Sequence, residues 1–194
     1  MIAIIDYKTG NLNSISKAVS RTGADFIVTN DVEEIKNASK VIMPGVGDAL
    51  FTMMTIDRLG LIDVLKNLTV PVLGICVGMQ VMCGELEEGA CRGLGIFPNR
   101  VKRLEQIGNT RVPHIGWNNL QVDSSYLFKG ITCKDFVYFV HSYAPEINQY
   151  TIAKAVHGTE FSAALAYNNF IGTQFHPEKS GVVGERIIEN FIKF

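Results

Sequence analysis

Residues Val70-Pro71-Val72-Leu73-Gly74-Ile75-Cys76-Val77-Gly78-Met79-Gln80 constrain this chain more than any other stretch. An apolar, β-branched run beginning beside a proline ends in Gly-x-Cys-x-Gly, and a helix-compatible segment, Val77 to Cys83, follows with no intervening loop. The pattern predicts a strand, a sharp turn and a helix. A side chain thrust out at such a turn sits in strained backbone, and Gly74 and Gly78 then stand where neighbouring backbone passes too close for a Cβ. Cys76 falls at the helix N-terminus, where unpaired N–H groups and the positive end of the macrodipole favour the thiolate, the nucleophilic form. A free cysteine at a strand end is also a common small core residue. The flanking glycines and the abrupt change of period favour the nucleophile.

The rest of the composition fits a globular enzyme. A chain of 194 residues is long enough to bury about 70% of its unfolded surface around one core, so residues 1–194 are expected to form a single domain. Eighteen basic against 19 acidic residues leave a net charge of −1, which gives no electrostatic basis for binding nucleic acid or an anionic membrane. The opening Met1-Ile2-Ala3-Ile4-Ile5 is interrupted by Asp6 and has no basic flank, so it reads as neither a signal peptide nor a membrane span, and a cytoplasmic protein is expected. The four cysteines form no CxxC pair; neither a zinc site nor a disulfide framework is expected.

Taken in order, the first half alternates. Met1 to Asp6 reads as a buried strand and Gly10 to Thr22 as a helix with Leu12, Ile15, Ala18 and Val19 on one face. Strands are expected at Asp25 to Thr29 and Lys40 to Met43, joined by a short connection. A helix follows from an Asp48 N-cap to Leu68, with a break near Gly60. This is the order of an open, mostly parallel α/β sheet flanked by helices, in which sites form beyond the carboxyl ends of the strands. After Glu85-Leu86-Glu87-Glu88-Gly89, an acidic cluster read as a solvated turn, short β-like runs take over: Arg100 to Leu104, Asn119 to Val122, Phe136 to Ser142, Ile152 to Val156, Phe161 to Tyr167 and Phe170 to Phe175. Asn168-Asn169 is a hairpin signal, so an antiparallel section is expected to fold onto the parallel sheet. Gly184 to Phe194 closes the chain as an amphipathic helix.

A thiolate needs a base, and the base needs an orienting group. Of four histidines, His176 in Gln174-Phe175-His176-Pro177-Glu178 is the best placed. Pro177 disfavours helix at His176, and in extended backbone residues i and i+2 share a side, which sets Glu178 beside the imidazole. Glu178 then fixes the tautomer while His176 takes the thiol proton. The same pair also reads as a surface ion pair worth ~0–1 kcal/mol. The Val77 amide is an oxyanion donor by position, and the glycines of Met43-Pro44-Gly45-Val46-Gly47 allow a second N–H to turn toward it. His141 reads as a wall or structural histidine, His114 and His157 as loop residues. Trp117 reads either as core or as a ring on a partner surface.

These motifs together resemble the class I, triad-type glutamine amidotransferases. Pro44-Gly45-Val46-Gly47, Pro113-His114-Ile115-Gly116-Trp117-Asn118, Tyr138-Phe139-Val140-His141-Ser142-Tyr143 and Gln174 to Gly181 narrow the resemblance to the HisH subfamily, the glutaminase subunits of imidazole glycerol phosphate synthase in histidine biosynthesis. It runs from Asp6-Tyr7 to the C-terminus; Val77 in place of the usual leucine is a small departure. The resemblance implies a flavodoxin-like fold and a catalytic set of Cys76, His176 and Glu178. By the same resemblance Val46 and Val77 serve the oxyanion, and Gly47, Gln80, Ser142 and Tyr143 bind glutamine. Asn11, Trp117, Tyr138 and Lys179 match interface positions. It implies no cofactor and no metal. The implied partner is a HisF-type (β/α)₈ cyclase in a heterodimer, receiving ammonia and making imidazole glycerol phosphate and AICAR. The alternatives are a HisH-like glutaminase serving a surface-sugar amidotransferase, a cysteine peptidase or amidase on the same fold, and a binding module without activity.

Overall fold

The computed structural model describes residues 1–8 and 12–194. The first half alternates as its periodicity requires: β1 (Ile2–Ile5), α1 (Leu12–Arg21), β2 (Phe26–Thr29), α2 (Val32–Lys36), β3 (Lys40–Met43), α3 (Ala49–Arg58), α4 (Ile62–Lys66), β4 (Val72–Ile75) and α5 (Val77–Met82). All four residues of β1 and of β4 are buried, as continuous apolar runs demand in a parallel sheet. Helix α1 buries Ile15, Ala18 and Val19, an i, i+3, i+4 stripe.

The connection after β2 is a helix rather than a plain loop. Asp31 caps α2 by accepting from the Glu33 and Glu34 amides, a start signal hidden by the helix's five-residue length. Asp48 caps α3 through the Phe51 amide at 2.7 Å, and Gly60, at φ +66, separates α3 from α4.

The second half is β-rich, with β5 (Cys83–Leu86), β6 (Cys91–Arg92), β7 (Phe97–Arg103), β8 (His114–Asn119), β9 (Gln121–Val122), β10 (Phe136–His141), β11 (Tyr143–Pro145), β12 (Thr151–His157), β13 (Thr159–Tyr167) and β14 (Phe170–Thr173). Helix α6 (Gly181–Lys193) follows, starting three residues before the apolar stripe suggests. The main sheet has the order β2-β1-β3-β4-β14-β13-β12-β9; its first five strands are parallel and the remaining pairings antiparallel. The antiparallel section therefore extends the parallel sheet edge to edge. Asn168 and Asn169 form the β13–β14 turn, with Asn168 at φ 53.

Two smaller sheets, β11-β7-β5-β6 and β10-β8, stand beside the main one. Here three expectations fail. Glu85 lies on β5 within the cluster read as a turn. His114 is a buried strand residue, on a β8 whose His-Ile-Gly-Trp-Asn-Asn sequence gives little periodic signal, and His157 ends β12, one residue beyond the run expected at Ile152 to Val156. Inward-facing Phe139 meets Phe161 and Phe175 edge-on at 5.7 and 5.8 Å, which ties the β10–β8 pair to the main core.

Candidate active site

Adjacent strands β3, β4 and β14 end at one place, and each carries part of the site there. The turn after β4 is strained: Cys76 adopts φ 53, ψ −110, an unfavourable conformation for a residue with a Cβ. It persists because its surroundings leave no alternative. A Cβ on residue 78 would stand 1.9 Å from the Met43 carbonyl oxygen, and one on residue 45 would stand 2.4 Å from the Gly78 nitrogen. The ends of β3 and α5 are thus in backbone contact, and only glycine fits on either side. The Cys76 amide donates to Thr173 O at 2.7 Å, joining the turn to β14.

The next strand delivers the base. His176 follows β14 in extended backbone, φ −99, ψ 96, with Pro177–Lys179 forming a single 3₁₀ turn. Glu178 rides on that turn rather than on an extended segment, and its Oε1 still reaches His176 Nδ1 at 2.7 Å. Both side chains are buried, so this is no surface ion pair. The segment is held by three further bonds: His176 N donates to Tyr138 O at 2.9 Å, Ser180 Oγ donates to His176 O at 2.6 Å, and Tyr138 N donates to Ser180 Oγ at 2.9 Å. Burial alone lowers an imidazole pKa, but the Cys76 sulfur and the Glu178 carboxylate outweigh it and push His176 up to about 10. Nε2 is buried without a hydrogen-bond partner among the described residues, leaving it free to exchange a proton at the sulfur.

These groups face a cavity of about 380 Å³. Of the residues assigned from sequence, Val46, Gly47, Cys76, Val77, Gln80, Ser142, Tyr143, His176 and Lys179 line it. As the first residue of α5, Val77 has no intrahelical acceptor for its N–H. Trp117 is exposed and meets the Tyr138 ring at 5.9 Å, edge-on, on the cross-strand pair of β8 and β10, so it is a surface ring and not core. Asn11 lies outside the described residues.

Two contributors, Glu88 and Gln174, were not assigned from sequence, and His141, expected as a wall or structural histidine, lines the cavity. Glu88 lines the cavity and one of its carboxylate oxygens accepts the Ala49 amide at 2.8 Å; burial, opposed in part by this bond, raises its pKa. Three acidic positions within five residues, Glu85, Glu87 and Glu88, masked the one that turns inward. Gln174, wholly buried, donates to Cys76 Sγ at 3.6 Å and accepts from Gln80 Nε2 at 3.1 Å. His141 donates from Nδ1 to Tyr143 O at 2.8 Å, which makes its Nε2 the acceptor for His114 Nδ1 at 3.0 Å. Burial depresses both rings, His141 to about 3 and His114 to about 4, so each is neutral.

A thiol beside an imidazole that a buried carboxylate orients, with N–H groups nearby, is equipped for acyl transfer through a covalent thioester. A sequence profile of the class-I glutamine amidotransferases matches residues 3–194. The chain belongs to that family. Within it, the chain is 49% identical over 193 residues to the imidazole glycerol phosphate synthase subunit HisH of Bacteroides fragilis, covering 99% of this chain and 98% of that protein. It is 46% identical to the subunit HisH 2 of Legionella pneumophila strain Paris, covering 99% and 97%. A crystal structure of a glutamine amidotransferase superposes with a TM-score of 0.77 at 16% identity, covering 99% of this chain and 97% of that one, and so speaks for the fold alone. The glutamine amidotransferase fold is thus a mostly parallel α/β sheet carrying an antiparallel extension.

Proposed function

We propose that residues 1–194 act as one glutaminase domain, the HisH-type subunit of an imidazole glycerol phosphate synthase, and that Cys76, His176 and Glu178 carry the hydrolysis. The observation that supports this most is the buried 2.7 Å bond from His176 Nδ1 to Glu178, which turns the unpartnered Nε2 toward the sulfur in a cavity suited to one amino acid.

The chemistry follows from the charges. In this reading Cys76 gives its proton to His176, and the resulting thiolate attacks the side-chain amide carbon of glutamine. The carbonyl oxygen becomes an oxyanion facing the Val46 and Val77 amides. His176 gives its Nε2 proton to the departing nitrogen, the C–N bond breaks, and ammonia leaves a γ-glutamyl thioester. Neutral His176 then takes a proton from water as the oxygen bonds to the acyl carbon; the C–S bond breaks, and glutamate and the thiolate are released. Glu178 holds the ring in the tautomer that both steps need. Gly47, Gln80, Ser142 and Tyr143 hold the substrate, and the Glu88 carboxylate is the natural counter-charge for its α-ammonium group.

The heterodimer partner in this reading is a HisF-type cyclase, which uses the ammonia to make imidazole glycerol phosphate and AICAR. Support comes from the outward face of the β8–β10 pair. Ile115, Trp117 and Phe136 are each more than half exposed there, and Val140 continues the same face into the cavity. Trp117, Tyr138 and Lys179 are the interface residues on this face and at the cavity. An apolar patch that reaches the site of ammonia release suits a closed interface. We place the enzyme in the cytoplasm; among the described residues no helix is long and apolar enough to cross a membrane.

The test is glutamine hydrolysis by this chain alone, with an added HisF-type cyclase, and with the cyclase loaded with its nucleotide substrate. Slow turnover alone that rises sharply with the loaded cyclase is the expected result. Turnover indifferent to the cyclase contradicts the partner and points to a sugar-aminating synthase or a free amidase.

A further inference from the structure

A buried polar chain runs behind the cavity, and its direction is fixed by one atom. The Tyr143 carbonyl oxygen can only accept. Gln80 Nε2 lies 2.9 Å from it, so the Gln80 amide must present nitrogen on that side. The second Gln80 N–H goes to an oxygen, Gln174 Oε1, at 3.1 Å. That leaves Gln174 one orientation, with Nε2 on the far side, where Cys76 Sγ is 3.6 Å away. The assignment of both amides thus follows from donor and acceptor chemistry. Gln174 has no exposed surface, and its backbone amide is tied to Ala163 O at 2.8 Å.

We propose that Gln174 is a positioning residue for the glutaminase reaction: it donates an N–H to the Cys76 sulfur and so supports the thiolate, with the polarity of that bond imposed by the Tyr143 carbonyl through Gln80. This rests on the reading of Cys76 as nucleophile. The physical case is one of buried charge. A thiolate in this site has His176 beside it, and the Val140 carbonyl oxygen, 4.0 Å from the sulfur, offers an anion nothing to accept from; the Gln174 N–H is the further donor at the sulfur. A hydrogen bond to the anion is stronger than one to the neutral thiol, so the amide favours the reactive form while fixing the direction of its lone pairs. A carboxylate at residue 174 does the reverse, since it still accepts from Gln80 but offers the sulfur a negative charge.

The experiment is the pH dependence of Cys76 alkylation by iodoacetamide. Peptide mass mapping scores Cys76 apart from Cys83, Cys91 and Cys133, in the unaltered chain and in Gln174→Met and Gln174→Glu. Both variants should move the midpoint upward, Gln174→Glu further, by at least about one pH unit, a tenfold loss of thiolate at fixed pH. In the cyclase complex kcat for glutamine should fall more than KM rises. Midpoints that superimpose on the unaltered chain would overturn the proposal. If both variants fail to fold, the unaltered protein decides. Its Gln174 side-chain NH₂ resonances should shift when Cys76 is alkylated, and unchanged resonances reject the bond. Alkylation needs no glutamine, so an unaltered chain that is inactive while its Cys76 midpoint still moves in the variants would count against the glutaminase reading and leave the Gln174–sulfur bond standing.

Discussion

Around Cys76 the backbones themselves touch: residue 78 has no room for a Cβ beside Met43 O, and Cys76 sits at φ 53. Around His176 the backbone is relaxed, and the ring is held by side-chain and main-chain hydrogen bonds to Glu178, Ser180 and Tyr138. The two halves of the candidate active site are therefore placed by different means. A position set by steric exclusion is all or none, since a Cβ either fits or displaces a strand. A position set by latches degrades by steps, each bond contributing on the order of 1 kcal/mol.

The sharpest way to break the comparison is on the nucleophile side. Gly78→Ala should cost more than about 4 kcal/mol and leave little folded protein, because the clash is with backbone and no side chain can yield. Thermal unfolding measures this, and a variant with near-normal melting would refute steric placement. Glu178→Gln, on the other side, should leave the fold intact. It should lower kcat by roughly 10²–10⁴-fold, as expected where a buried carboxylate sets the histidine tautomer. Because Glu178 and Cys76 hold the His176 imidazolium up against the effect of burial, removing the carboxylate should also shift the alkaline limb of the rate profile to lower pH.

Next in size is an acid effect from the histidines behind the cavity. His114 and His141 are depressed to about 4 and about 3. The unfolded chain therefore binds more protons than the fold below pH ~6.5, and stability present above that value is lost as pH falls. Each ring should cost about 2 kcal/mol by pH 5. The facing groups are each other, His157, His176 and the Tyr143 carbonyl, and none supplies a negative charge to offset protonation. Denaturant titrations at pH 7 and pH 5 measure the loss, which His114→Phe should reduce. Smallest is Ser180→Ala, expected to cost about 1 kcal/mol and to lower kcat several-fold with little change in KM, since it loosens one latch of several. A loss as large as that of Gly78→Ala would show that both sides are placed the same way.

The same contrast explains what was legible in the sequence. Constraints written in backbone announce themselves locally: the Gly-x-Cys-x-Gly turn, the Asp48 cap and the Asn168-Asn169 turn are all where the residues put them. So is the His176–Glu178 pair, because His176-Pro177-Glu178 is a local pattern too. Gln174, Glu88 and the His114–His141 pair were not legible, since each depends on which strands come together across the fold. His114 and His141 are 27 residues apart, and Gln174 and Cys76 are 98 apart. The β5–β8 region carries short strands with weak alternation, and the sheet edge that β13 extends is decided by pairing partners that local pattern does not name.

The most direct test of the central claim is to trap the intermediate. The complex of this chain with a HisF-type cyclase is acid-quenched while turning over carbon-labelled glutamine, and its cysteine peptides are mapped by mass. The account requires a labelled γ-glutamyl group on the Cys76 peptide alone, lost in Cys76→Ala together with all turnover. Turnover without label on Cys76, or surviving in Cys76→Ala, would contradict it.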